Sequence, residues 1–213
     1  MPPSGGSGRP GKAVTPLEAP PPGVTTTVEA RSALVVAPHF DDEVLGCGGL
    51  VAQLTAAGGA VRVVFCSDGG GETADPERRR AESARRRVEA RQAASVLGLA
   101  GIDELDLPDG GLAQHVEPMA EGLRRLLLAY RPELVLVPSP LEVSADHRAT
   151  FAALQGALAT MPSVEGLTVL AYEVNHPLHP DVLVDVGGQV TLIERAMACY
   201  ASQQAQHFNL ACA

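Results

Sequence analysis

The sequence predicts an α/β fold: a Rossmann-like three-layer sandwich in a single domain, with helices on both faces of a mainly parallel sheet. Three observations lead there. Short continuous apolar runs, Ala33 to Ala37 and Leu134 to Val137, suit strands buried on both faces. Such runs alternate with stretches of helical apolar spacing, the order of parallel βαβ units. The chain has 213 residues, 46% of them hydrophobic, which is enough for one substantial core without disulfide staples.

The elements follow in chain order. Residues 1–27 are rich in Pro, Gly, Ser and Thr, a composition that cannot bury enough surface to order itself, so a flexible tail is expected before a domain at 28–213. Ala33 to Ala37 is the first strand. Glu43 to Ala57 carries Val44, Leu45, Leu50, Val51 and Leu54 at helical spacing and stops at Gly58-Gly59. Val61 to Cys66 is a second strand, and Ser67 to Pro76, with Asp68-Gly69-Gly70-Gly71, is a loop. A charged helix over Glu77 to Leu97 ends at Gly98. Glu104 to Leu107 is a third strand, closed by the turn Pro108-Asp109-Gly110-Gly111. Helix Glu117 to Tyr130 stops before Pro132. Strand Leu134 to Val137, helix Ala145 to Thr160, strands Thr168 to Tyr172 and Val182 to Val186, and helix Thr191 to Ser202 complete the pattern.

Composition narrows the function. The net charge of -9 disfavours nucleic acid or an anionic membrane as partner. Aromatics are 3% and Trp is absent, which argues against base-stacking platforms and aromatic-lined sugar clefts. No apolar run approaches the roughly 18 residues that span a bilayer, and the N-terminus lacks the order of a signal peptide. Cys47, Cys66, Cys199 and Cys212 form no C-x-x-C pair and read as reduced thiols. A cytoplasmic protein with a small-molecule partner, no nucleic acid and no integral membrane segment is expected, and a homo-oligomer stays open.

The chemistry concentrates at Pro38-His39-Phe40-Asp41-Asp42-Glu43, directly after the first strand. Three adjacent acids repel one another and resist desolvation, so their concentration at a strand exit points to a held cation or a moved proton. In a doubly wound sheet, ligands bind beyond the carboxyl ends of the strands. His39, Asp41, Asp42, Asp68, Asp109, Asp146 and His147 all map to that edge. His39, Asp42 and His147 make a plausible open two-His, one-carboxylate site for Zn2+, which Fe2+ would also accept. Asp41 is left free to take a proton from water. The plainer reading is that the three acids cap a helix and favour its first turn.

Pro38-His39-Phe40-Asp41-Asp42-Glu43 resembles the P-H-P-D-D-E motif of the PIG-L/LmbE family of zinc-dependent N-acetylglucosaminyl deacetylases. Ser144-Ala145-Asp146-His147-Arg148-Ala149 resembles its second motif, H-P-D-H-R-A. Val44 to Gly49, Ser67-Asp68-Gly69, Pro108 to Leu112, Tyr172-Glu173-Val174 and the ending Tyr200-Ala201-Ser202-Gln203 are similar to family segments in the same order, so that the resemblance covers about residues 33–203. It implies that His39, Asp42 and His147 are the metal ligands, that Asp41 is the general base, and that the reaction removes an N-acetyl group from a small amino-sugar conjugate. Arg86, in Arg86-Arg87-Val88-Glu89, is similar to a family arginine that reaches the substrate, and Asp109 is a second candidate for binding sugar hydroxyls.

The chain departs from the pattern twice. Phe40 replaces a Pro, and its ring stiffens the loop or borders the pocket. Ser144 replaces a His thought to hold the oxyanion or protonate the amine. The acid role then passes to Asp41 or to His176, while Asp146 orients an imidazole or caps its helix. The alternative reading is a catalytically drifted zinc-bound relative that binds a sugar or a partner. A nucleotide site at Gly46-Cys47-Gly48-Gly49 lacks the G-x-G-x-x-G spacing. His115, His179 and His207 read as surface residues.

Overall fold

In the computed structural model, which describes residues 27–71 and 73–203, one five-stranded sheet forms the middle layer. Its strands are β1 (Ser32–Ala37), β2 (Ala60–Ser67), β3 (Gly101–Leu107), β4 (Leu134–Pro138) and β5 (Thr168–Tyr172). They lie in the order β3-β2-β1-β4-β5, and every neighbouring pair is parallel. The helices are α1 (Asp42–Ala56), α2 (Pro76–Leu97), α3 (Val116–Tyr130), α4 (Ala145–Ala159) and α5 (Val190–Cys199).

The alternation of β1 side chains divides the core in two. Ala33, Val35 and Ala37 join residues of α1, α2 and α5 in one apolar cluster, and Leu34 and Val36 join α3 and α4 in the other. β1 is therefore apolar at every position after Ser32, as a strand buried on both faces must be. Local signals set the helix ends. Asp75 caps α2 by accepting from the Glu77 and Arg78 amides, Pro76 opens it, and Gly98 at φ 72° closes it.

Strand order reverses between β1 and β4, so the β1–α1 and β4–α4 loops leave the sheet on either side of a crevice. Among the described residues no helix is long and apolar enough to cross a membrane.

Three expectations need correcting. β3 starts at Gly101, not Glu104. As an edge strand it spends Asp103 on Arg62 and Tyr130, and Glu104 and Asp106 on Arg87, so acids replace the apolar run that marks an inner strand. Val182 to Val186 is not a sheet strand. Val184 packs on the first cluster and Val186 lies against Gly49 of α1, so this alternation serves helix packing. α5 ends at Cys199, and Tyr200 to Gln203 form a separate turn. Residues 1–26 of the expected tail, and His207 and Cys212, lie outside the described residues.

Candidate metal and active site

The acid loop begins where β1 ends. Asp42 and Glu43 open α1, and the Asp41 carbonyl accepts from the Val44 and Leu45 amides. Asp41 itself stands at φ 124°, ψ -22°, a conformation that costs an L residue on the order of 1–3 kcal/mol. Its carboxylate makes no cap hydrogen bond to α1, so the plain capping reading fails at this residue. Phe40 is buried against Phe65, with ring centroids 4.4 Å apart, and its ring lies over Gly69. It stiffens the loop from the core side.

Asp42 lies between two imidazoles. Its Oδ2 accepts from the His39 backbone N at 2.9 Å and stands 3.2 Å from His39 Nδ1 and 3.3 Å from His147 Nε2. A tetrahedral cation with bonds of about 2.0–2.1 Å has ligand–ligand edges of roughly 3.3 Å. The three donor atoms all lie within 4.8 Å of one another, so the set fits a zinc-sized cation. His147 is brought there by the first turn of α4, and its Nδ1 is buried with no hydrogen-bond partner.

The far side of His39 is held by carboxylates. Nε2 meets Asp146 Oδ2 at 3.1 Å and Asp109 Oδ1 at 3.5 Å. Asp146 also accepts from the Gly110 and Leu112 amides, so it orients the imidazole and ties the turn after β3 to α4 instead of capping its own helix. Those same atoms, His39 Nε2 with Asp109 and Asp146, form a second cluster of metal-ligand type.

Charges in the loop are pushed apart. Burial, then Asp42 and Glu43, raise Asp41 well above the usual carboxylate range. Burial alone would raise Asp42 too, but hydrogen bonds from His147 and His39 outweigh it and hold it well below that range. Burial lifts Glu43 to about 7. On His39, burial is outweighed by Asp146 and Asp42, which raise it to about 10. Adjacent acids thus carry opposite shifts, the condition for splitting ligand and proton-transfer roles.

Asp109 joins the site: Oδ1 faces His39 while Oδ2 accepts from the Gly71 amide and from Arg86 Nη1 at 3.2 Å. Arg86 is buried, paired to Asp109 and to Glu82 at 3.4 Å, and its Nε and Nη2 also reach the Gln203 amide oxygen once that amide is oriented to satisfy both ends. It borders a recess of about 240 Å³ shared with Gly71, Thr73, Arg78 and Arg85. Ser144 is the N-cap residue of α4 and makes no cap bond with its hydroxyl. His176 is exposed; only its backbone N turns inward, to Glu142. Asp68 stays structural, accepting from Gly70 and Asp109 amides and pairing with Arg79. His115 is half-buried, its Nδ1 held by the Gly111 carbonyl, which corrects its reading as a surface residue.

Sequence reasoning missed Glu142 and gave Tyr200 no role. Glu142 is buried, accepts from the Val174, Asn175 and His176 amides, and brings Oε2 within 3.5 Å of His147 Nδ1. Tyr200 donates to Glu43. A glutamate two residues before Ser144 carries no motif, and a tyrosine after α5 reads as core. The glycines of Gly46-Cys47-Gly48-Gly49 are packing sites: a Cβ at Gly46 would stand 2.2 Å from the Tyr172 ring, and one at Gly49 would stand 2.3 Å from Val186. The larger groove along α1, about 870 Å³, includes none of His39, Asp41, Asp42 or His147 in its lining.

A sequence profile described as PIG-L, GlcNAc-PI de-N-acetylase, matches residues 34–158. The chain is 29% identical over 190 residues to the diacetylchitobiose deacetylase of Thermococcus kodakarensis, covering 82% of this chain and 71% of that one. The structure superposes on the N,N'-diacetylchitobiose deacetylase of Pyrococcus horikoshii with a TM-score of 0.70 and 27% identity, over 82% and 71% of the two chains. It also superposes on the 4-carboxy-2-hydroxymuconate hydratase of Pseudomonas putida KT2440, with a TM-score of 0.65 and 27% identity, over 82% and 80%.

Proposed function

Because the chain belongs to the PIG-L family, we propose that it is a zinc-dependent N-deacetylase acting on a small N-acetylated amino-sugar conjugate. The observation that carries the reading is the corner formed by His39, Asp42 and His147 beside an Asp41 held in a conformation that costs energy. Iron(II) suits the same donors.

A divalent cation held by His39, Asp42 and His147 supplies Lewis-acid polarisation of the amide carbonyl and acidifies water. Asp41 is the general base. Its raised affinity for a proton, set by burial and by Asp42 and Glu43, suits it to take one from the attacking water. The same proton then serves the leaving amine, so Asp41 also fills the acid role that Ser144 cannot. The Ser144 hydroxyl remains able to donate one hydrogen bond to the developing oxyanion. Asp146 and Asp109 keep the His39 ring in place through Nε2. Arg86 acts mainly by holding Asp109, and the recess beside it receives the rest of the conjugate.

The test is acetate release by zinc-loaded protein from a panel that includes N-acetylglucosamine and N,N'-diacetylchitobiose. Turnover is expected, and Asp41→Asn is expected to abolish it while zinc stays bound at one equivalent. Zinc binding with no acetate from any member of the panel favours the drifted, non-catalytic alternative that Ser144 raises. Full activity in Asp41→Asn removes Asp41 as the base.

A further inference from the structure

Both peptide planes that flank Asp41 are fixed, and by different partners. The carbonyl side is held by the start of α1, through the Val44 and Leu45 amides at 3.0 Å each. The amide side is held by one contact, Asp41 N–H to Glu43 Oε2 at 3.2 Å. The second oxygen of that carboxylate, Oε1, accepts from the Tyr200 hydroxyl at 2.5 Å, across 157 residues of chain. Tyr200 and Glu43 are both almost fully buried. We propose that Tyr200 is a positioning residue that acts through Glu43 to hold the Asp41 backbone at φ 124°.

The argument is mechanical. A peptide held only at its carbonyl end would rotate about N–Cα toward the negative φ that L residues prefer. The Glu43 carboxylate opposes that rotation only while its own orientation is fixed. Its neighbours in sequence, Asp41 and Asp42, are acids that push it away. Tyr200 is the donor on its other side, and Tyr200 is itself braced from α2. Ser202 N and Oγ bond the Glu89 carboxylate, at 2.9 and 2.5 Å, and Gln203 meets Arg86. The turn after α5 thus reaches the acid loop through Tyr200 and reaches the Arg86–Asp109–His39 side through Gln203. It lies outside residues 34–158, yet the geometry of the loop inside them depends on it.

The effect on rate rests on the reading of Asp41 as base; the conformational claim rests on the geometry alone. The experiment separates them, using the zinc-loaded full chain and Tyr200→Phe, which removes one oxygen from a filled core. Amide hydrogen exchange at Asp41 is expected to speed up by on the order of tenfold or more, while the Val44 and Leu45 amides keep their wild-type protection. Turnover of N,N'-diacetylchitobiose is expected to fall roughly 10- to 100-fold in kcat, with KM and zinc stoichiometry unchanged. Should Tyr200→Phe not fold, Tyr200→Met, which also lacks the hydroxyl and fills the core with an adaptable side chain, is read in the same way. Unchanged exchange at Asp41 in a folded variant overturns the proposal. So does equal acceleration at Asp41, Val44 and Leu45, which is general loosening. Should wild-type protein release acetate from another member of the panel and not from this probe, the rate is read on that member; silence across the whole panel counts against the hydrolase reading, and the exchange at Asp41 still decides the role of Tyr200.

Discussion

His147 Nδ1 faces the Glu142 carboxylate at 3.5 Å, and no hydrogen-bond partner reaches that nitrogen among the described residues. With Nε2 given to a cation held beside Asp42, the ring proton sits on Nδ1, and the Glu142 carboxylate is the acceptor that faces it and would need to close only slightly to take it. Glu142 also holds three successive amides of the segment after β5. Glu142→Ala is therefore expected to lower zinc affinity about 10- to 100-fold and to cost about 2 kcal/mol of stability. Competition with a chromogenic chelator measures the first and urea melts the second. Wild-type zinc affinity in the variant would mean that the His147 ring is fixed by other groups.

Asp41 predicts a trade between stability and activity. Glycine takes φ 124° without the steric cost and removes a buried carboxylate. Asp41→Gly is expected to stabilise the protein by about 1 kcal/mol while abolishing turnover. Asp41→Ala loses the carboxylate but keeps the conformational cost, so it should be less stable than the glycine variant. Denaturation midpoints of the three proteins give the comparison, and a glycine variant no more stable than the alanine variant would deny that Asp41 is strained.

Much of this site was legible in the sequence because its residues are local to strand exits. His39, Asp42, Asp109, Asp146 and His147 each follow a strand of the parallel sheet, so predicting the strands already places them along one edge. The start of β3 is hidden in the sequence because Asp103, Glu104 and Asp106 pair with Arg62 and Arg87, so the strand shows no apolar alternation. Val182 to Val186 misled for the opposite reason, its alternation meeting a helix and not a strand. Glu142 and Tyr200 were illegible as site residues because their roles are buried hydrogen bonds to groups far along the chain. Arg86 kept its place beside the site, but most of its hydrogen bonds turn out to be committed to the protein.

Removing the metal should abolish turnover without unfolding the chain, because two apolar clusters hold the sheet independently of the corner at His39. Dialysis against a chelator, followed by one equivalent of zinc, is expected to restore activity. Free zinc at 100 times its Kd should add about 2.7 kcal/mol of stability, and His147→Ala should erase most of that gain. A thermal midpoint that zinc leaves unmoved in the wild-type protein would dismiss this corner as its site.

Gly46 offers a test of how α1 is fixed over β5. The Cδ2–Cε2 edge of the Tyr172 ring meets the helix where Gly46 has no side chain, and its hydroxyl donates to the Val36 carbonyl of β1 at 2.9 Å. An alanine methyl would stand 2.2 Å from the ring carbon, a clash that neither the buried ring nor the helix can relieve by a small shift. Gly46→Ala is expected to cost about 1–3 kcal/mol by overpacking, against the gain of roughly 1 kcal/mol that Gly→Ala brings to an open helix position. The sign of the change therefore decides between close packing and mere helix composition. If close packing governs, Gly46→Ala should cost less in a Tyr172→Leu background than in the wild-type protein, since the smaller side chain gives the methyl room. Chemical denaturation of the single and double variants measures both, and a stabilised Gly46→Ala would place the ring elsewhere.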